Sequence, residues 1–144
     1  MECVIFIGIQ ASGKSTFYKE RFFNSHVRIN LDMLRTRNRE NIYLAASIKA
    51  MQPFVVDNTN PTVEDRRKYI DLAKEYKFRV VGYYFDPDLD ESTKRNESRS
   101  KKEHVPEVAI RGTLKKLQKP ELNEGFDELY TVRSINGRFT VEAM

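Results

Sequence analysis

Cysteine is nearly absent from this sequence. Cys3 stands alone, so no intrachain disulfide can form, and its place in an apolar stretch marks it as a buried thiol. Long hydrophobic runs are absent too. The apolar residues near the start soon give way to glycine and lysine, which excludes a signal peptide or membrane span and makes a cytoplasmic location, with no membrane partner, the expectation. The two histidines, His26 and His104, lie far apart and show no metal-ligand spacing. There is no internal repeat and no low-complexity segment. With 40% hydrophobic and 32% charged residues over 144 positions, the chain reads as one globular domain, 1–144, that needs no structural metal. A net charge of +4 permits an anionic partner, but any nucleotide-handling protein needs positive groups.

What is present begins at Glu2. The apolar run Val4-Ile5-Phe6-Ile7 meets Gly8-Ile9-Gln10-Ala11-Ser12-Gly13-Lys14-Ser15-Thr16, a G-x-x-x-x-G-K-S pattern, followed by Phe17, Tyr18, Phe22 and Phe23 among charged residues. Strand, phosphate loop and amphipathic helix in that order are the context the short pattern requires. Gly8 and Gly13 let the backbone from Gly8 through Ala11, Ser12 and Gly13 to Thr16 turn its N–H groups onto one anion, and the helix N-terminus adds positive potential. Lys14 reaches the β and γ phosphates of such a ligand, and the Ser15 hydroxyl is placed for Mg²⁺. The stretch therefore predicts ATP, or another nucleoside triphosphate, with Mg²⁺ as cofactor.

Further along, His26–Asn30 reads as a short strand and Leu31–Arg35 as a helical turn. A helix is expected over Arg39–Met51 with Ile42, Ala45, Ala46 and Ile48 on its apolar side. Pro53–Asp57 is a third strand. Thr62-Val63-Glu64-Asp65 has the form of a capping box and opens a helix to about Tyr76, with Tyr69, Ile70, Ala73 and Tyr76 available to a sheet. Phe78–Phe85 is a fourth strand, broken at Asp86–Asp90. Helices are expected from about Glu91 and from Pro106 to Gln118. Glu128–Ile135 and Arg138–Glu142 flank Asn136-Gly137, a strong hairpin signal. The alternation predicts an α/β fold: a five-stranded parallel sheet flanked by helices on both faces, with the hairpin adding an antiparallel edge strand.

In such sheets, functional residues follow the carboxyl ends of strands, which selects Asp32, Asp57 and the segment after Asp86. Asp57 closes a short apolar strand and fits a Mg²⁺-holding carboxylate, directly or through water; a cap for the Asn58-Thr59-Asn60-Pro61 loop is the alternative. Asp32 and Arg35, three apart, fit a base and a cation for an acceptor, and equally a surface ion pair. Arg95 and Arg99 lie in a basic run, Lys94 to Lys102, with five basic residues and one acidic. An arginine closing over a triphosphate and a solvated basic face both fit that pattern. Asp86-x-Asp88 satisfies neither an acid-anhydride phosphatase signature, since Leu89-Asp90 follows, nor a calcium loop, since Glu91 stands where glycine is required.

Taken together, the phosphate loop, Asp32-x-x-Arg35, Asp57-Asn58-Thr59-Asn60-Pro61, Arg95-Asn96-x-x-Arg99 and Val105-Pro106 make the chain similar to the 5′-kinase domain of the polynucleotide kinase family, which includes the phage-type end-healing enzymes. The likeness runs from about Val4 to Lys116. It implies strand order 2-3-1-4-5, a lid over about residues 91–105, and transfer of the ATP γ-phosphate to the 5′-hydroxyl of RNA or DNA. It further implies that Asp32 is the general base, that Arg35 contacts the acceptor's phosphate, and that Arg99, with Arg95 in the same lid, contacts the nucleotide phosphates. A chain of this length leaves no space for the phosphatase or ligase domain that many members carry. A kinase of a small hydroxylated metabolite, or a nucleotide-gated nucleic-acid-binding module, are the competing expectations.

Overall fold

The computed structural model describes residues 1–101 and 103–144; Lys102, the last residue of the basic run, lies outside them. The sheet is built on β1 (Glu2–Ile7). It lies between β3 (Phe54–Val56) and β4 (Arg79–Phe85), with β2 (Val27–Ile29) outermost on one side and β5 (Glu128–Ile135) beyond β4. These five strands are parallel in the order β2-β3-β1-β4-β5, as the resemblance implies. The last strand, β6 (Arg138–Ala143), pairs antiparallel with β5 around Asn136-Gly137, both residues at positive φ as a tight hairpin turn demands.

Both faces of β1 are covered, because successive side chains of a strand point to opposite sides. Cys3, Ile5 and Ile7 pack with Leu44, Ile48, Tyr69, Ile70 and Ala73 of α3 (Arg37–Lys49) and α4 (Val63–Glu75). Val4 and Phe6 pack on the other side with Phe17 and Tyr18 of α1 (Lys14–Arg21), with Phe22, and with Phe85 and Val132. Cys3 is fully buried, and burial pushes its thiol well above the ordinary range. Among the described residues no helix is long and apolar enough to cross a membrane.

Several boundaries differ from the sequence pattern for local reasons. Helix α1 stops at Arg21, so Phe23 falls beyond it and is 68% exposed. Thr36 caps α3, which starts at Arg37, two residues before the expected Arg39, and Ile42 is exposed while Glu40 takes the inward position. Thr62 and Asp65 form the expected capping box of α4, but Tyr76 ends that helix and is exposed. Asp88 accepts the Glu91 N–H and starts α5 (Leu89–Glu97) earlier than anticipated. Pro106 precedes rather than opens α6 (Glu107–Lys116). The remaining helical turn, α2 (Leu31–Leu34), follows β2 directly and carries Asp32.

Candidate active site

The loop after β1 wraps around the ammonium of Lys14. Its Nζ donates to the Gly8 carbonyl at 3.1 Å, the Ile9 carbonyl at 2.6 Å and Ser12 Oγ at 3.4 Å. Burial lowers the Lys14 pKa to about 8; the Asp57 and Asp32 carboxylates oppose the shift and the Arg99 guanidinium adds to it. Charged side chains from three other parts of the chain thus bear on one buried cation. Gly13, at φ +97°, must be glycine on two counts. An L side chain would be strained on this left-handed backbone, and its Cβ would lie 2.7 Å from Arg95 Nη1 and 2.9 Å from the Phe139 ring. Gly8 is required by close approach alone, since a Cβ there would meet Phe85 Cβ at 2.9 Å. Thr16 sits exposed in the first turn of α1, and Ala11 holds a left-handed conformation at φ 57°.

Asp57 closes β3 and is buried. Its Oδ2 accepts from Ser15 Oγ at 3.3 Å and from Arg28 Nε at 2.8 Å, so it faces the phosphate loop rather than capping its own loop. The capping and bracing fall to its neighbours. Asn58 Oδ1 accepts the Leu31 N–H at 2.8 Å, Asn60 Nδ2 donates to the Phe6 carbonyl at 2.8 Å, and the Thr59 carbonyl accepts the Gly8 N–H at 3.0 Å. The loop after β3 therefore holds the phosphate loop on one side and the α2 turn on the other.

Asp32 lies exposed on that turn, whose N-cap Asn30 accepts the Met33 N–H and donates to the Asp57 carbonyl. Arg35 terminates the turn at φ 79°, off the helical path, so the two do not share a helix face in the way their spacing suggests. Neither a hydrogen bond nor an ion pair joins them, which leaves both charged groups open to solvent.

Arg99 lies just past α5 and donates to the Glu103 carbonyl at 3.3 Å. Arg95 reaches across to the hairpin, with Nη2 on Ser134 Oγ at 2.8 Å and on Glu91 Oε1 at 3.2 Å. Asn96 is buried and ties the segment closed, accepting the Val105 N–H at 2.8 Å and donating to the Val105 carbonyl.

Sequence reasoning passed over several residues that shape this site. Arg28 donates to both Asp57 and Ser15, and a charged residue between Val27 and Ile29 in a parallel strand was a usable signal. Glu40 is fully buried, yet accepts from Arg37, Lys68, Tyr69 and Asn58, bracing the loop after β3 from behind. Arg66, also fully buried, donates twice to Glu124 and once to the Asn60 carbonyl. Phe139, beyond every motif, packs edge-on against Phe17 with ring centres 5.3 Å apart.

A metal can be tested against this donor set. Ser15 Oγ and Asp57 Oδ2 are hard oxygens 3.3 Å apart, one on a buried carboxylate that already recruits a cation. Among the described residues no three His, Cys, Asp or Glu side chains cluster as a metal cage. That suits Mg²⁺, which keeps water and substrate phosphates in its shell and takes only one or two protein ligands.

Sheet order, phosphate loop and the buried lysine define a P-loop NTPase-type α/β domain. The family model described as "AAA domain" matches residues 3–120, and the chain belongs to that family of P-loop kinase domains. It is 28% identical over 135 residues to the bifunctional polynucleotide phosphatase/kinase of Schizosaccharomyces pombe, covering 91% of this chain and 33% of that protein. A putative bifunctional polynucleotide phosphatase/kinase of Acanthamoeba polyphaga mimivirus is 30% identical over 138 residues, with 91% and 33% covered. The chain thus spans about a third of the length of the curated relatives it matches. Among solved structures, a gluconokinase from Sinorhizobium meliloti 1021 superposes with a TM-score of 0.62 at 18% identity, covering 92% of this chain and 82% of that one. That likeness concerns the fold.

Proposed function

We propose that this domain is an ATP- and Mg²⁺-dependent kinase that phosphorylates the 5′-hydroxyl of a polynucleotide end. The observation that carries the reading is the phosphate loop folded around Lys14 with Ser15 on the buried Asp57 carboxylate, and the α2 turn that bears Asp32 held by the loop after β3. The names of the S. pombe and mimivirus relatives support nucleic acid over other acceptors.

Phosphoryl transfer needs positioning and charge stabilisation more than covalent help. The loop from Gly8 to Thr16 supplies N–H groups and the start of α1 to the nucleotide phosphates. Lys14 exchanges its loop carbonyls for the β and γ phosphate oxygens, a trade that favours the charged ammonium and reverses its depressed pKa. Ser15 and Asp57 hold Mg²⁺, which supplies neutralisation of phosphate charge when bound. Asp32 takes the proton of the attacking hydroxyl, and its exposed carboxylate is free of any competing partner on α2. Arg35 grips a phosphate of the acceptor strand, and Arg99 with Arg95 closes on the nucleotide phosphates from the lid.

The direct test is transfer of labelled γ-phosphate from ATP to a 5′-hydroxyl oligonucleotide, run beside a panel of small hydroxylated metabolites. Label on the oligonucleotide 5′ end is the expected result. Label on a metabolite alone identifies a small-molecule kinase. Salt-sensitive oligonucleotide binding without transfer identifies a nucleotide-gated binding module.

A further inference from the structure

Arg28 occupies the locus that the proposed reading gives to Mg²⁺. Its guanidinium straddles Asp57 and Ser15, with Nε 2.8 Å from Asp57 Oδ2 and Nη2 2.9 Å from Ser15 Oγ. Ser15 closes the triangle by donating to the same carboxylate oxygen at 3.3 Å. The Asp57 side chain is 1% exposed and Arg28 27% exposed, so the carboxylate has no route to water and takes its counter-charge from the strand beside it.

We infer that Arg28 is a built-in competitor for the divalent cation, filling the metal locus until metal displaces it. The inference rests on Ser15 and Asp57 being the metal-holding pair. A buried carboxylate is costly without a cation, and an arginine, charged at every physiological pH, provides one permanently. A serine hydroxyl has one donor and two acceptor sites; here the donor serves Asp57 and one acceptor serves Arg28. A divalent ion on the same two oxygens would face a guanidinium at contact distance, and like charges so placed disfavour one another. Metal entry therefore requires Arg28 to release Ser15.

The fold provides a place for the released side chain. β2 is the outermost strand on its side of the sheet, so nothing pairs with its far edge. The Arg28 guanidinium carbon already lies 6.0 Å from the centre of the Tyr18 ring, and the ring is fixed by the Tyr18 hydroxyl donating to the His26 carbonyl. A short swing exchanges the Ser15 contact for the face of Tyr18, where a cation remains favoured. Bare metal and phosphate-bound metal must both displace Arg28, so the arginine weakens the two by the same factor; phosphate-bound metal overcomes that cost more readily because it brings its own ligands.

The test uses Mn²⁺ as the probe, followed by its electron paramagnetic resonance signal, with and without ADP. Arg28→Gln should tighten binding of Mn²⁺ by about tenfold, the scale of losing hydrogen bonds to a charged group, and by a similar factor with and without ADP. Arg28→Lys keeps a charge at the position and should stay close to the unaltered protein. The inference is overturned if a folded Arg28→Gln protein, checked by circular dichroism, binds Mn²⁺ no better or worse. It is equally overturned if Arg28→Lys matches Arg28→Gln in tightening. Asp57→Asn separates this from the underlying reading. If it leaves Mn²⁺–ADP binding unchanged, the metal assignment itself fails; if it abolishes binding while Arg28→Gln has no effect, only the competitor role fails.

Discussion

The two walls of the proposed site are built by different means. The inner wall, formed by the phosphate loop and the loop after β3, hangs from the sheet itself. Asn60 holds the carbonyl of Phe6 in β1, Thr59 holds Gly8, and Arg66 holds Asn60 from a fully buried position. The outer wall, the proposed lid, rests among the described residues on fewer buried anchors. Asn96 ties it to Val105, Ser92 is buried, and Arg95 leans on a hairpin hydroxyl. The inner wall is preorganised for what binds in the ground state. On the proposed reading, the outer wall carries the arginines that act once charge grows during transfer, and such groups belong on segments that can close. Substitutions on the two walls should therefore fail in different ways.

Between the two walls, the larger expected effect is on the outer one. Arg99→Ala should lower turnover about 10³-fold with little change in nucleotide affinity, the pattern of a group acting on the transition state. Arg99→Lys should recover little of it, because an ammonium cannot reproduce the planar fork. Steady-state kinetics beside equilibrium nucleotide titration reads both quantities. On the inner wall, Lys14→Ala should cost about 10²–10³ in turnover and weaken nucleotide binding as well, so affinity and rate fall together. Equal loss of affinity in both variants would erase the distinction between the walls.

The anchoring of the inner wall can be broken without touching the nucleotide. Arg66→Ala leaves Glu124 as an uncompensated, nearly buried carboxylate and should lower unfolding free energy by about 3–5 kcal/mol in urea denaturation. Asn96→Ala, its counterpart in the lid, should change global stability by about 1–2 kcal/mol at most. Its clearer signature should be faster amide exchange confined to the lid.

The smallest effect concerns pH. Burial alone would raise the Glu40 pKa, but hydrogen bonds from Lys68 and Tyr69, with the charges of Lys68 and Arg37, lower it below the ordinary carboxylate value. A carboxylate depressed in the folded state contributes stability above its unfolded pKa and loses it as pH falls through the folded value. Glu40→Gln should therefore unfold with a shallower acid dependence below about pH 4, seen as a smaller drop in melting temperature on acidification.

How much of this was legible beforehand follows from which interactions are local. The strand–helix alternation, the capping box at Thr62 and the turn at Asn136-Gly137 are properties of short segments, and their residues announce them, whereas the strand order came only from the family resemblance. Gly8 to Thr16 and Asp57 were readable for the same reason. The inward place of Glu40 and the exposure of Ile42 were not, because a helix turns a carboxylate inward only when partners on α4 and the loop after β3 meet it there. Arg28 on Asp57, Arg66 on Glu124 and Phe139 on Phe17 join residues 29, 58 and 122 positions apart, and no window of sequence contains both ends. Asp32 and Arg35 are the instructive pair. Their spacing suggested a shared helix face, but the turn ends at Leu34 and Arg35 adopts a positive φ, so the cation leaves the helix and pairs with nothing on α2.

The central claim is that Asp32 serves a 5′-hydroxyl at the end of a nucleic acid. Asp32→Asn preserves shape and hydrogen bonding while removing the base, so single-turnover transfer from ATP to a 5′-hydroxyl oligonucleotide tests it most directly. Transfer should fall by about 10²–10⁴ while nucleotide affinity stays within about twofold of the unaltered protein. Near-normal transfer by Asp32→Asn on every acceptor would contradict the account and leave Asp32 a surface carboxylate beside an arginine.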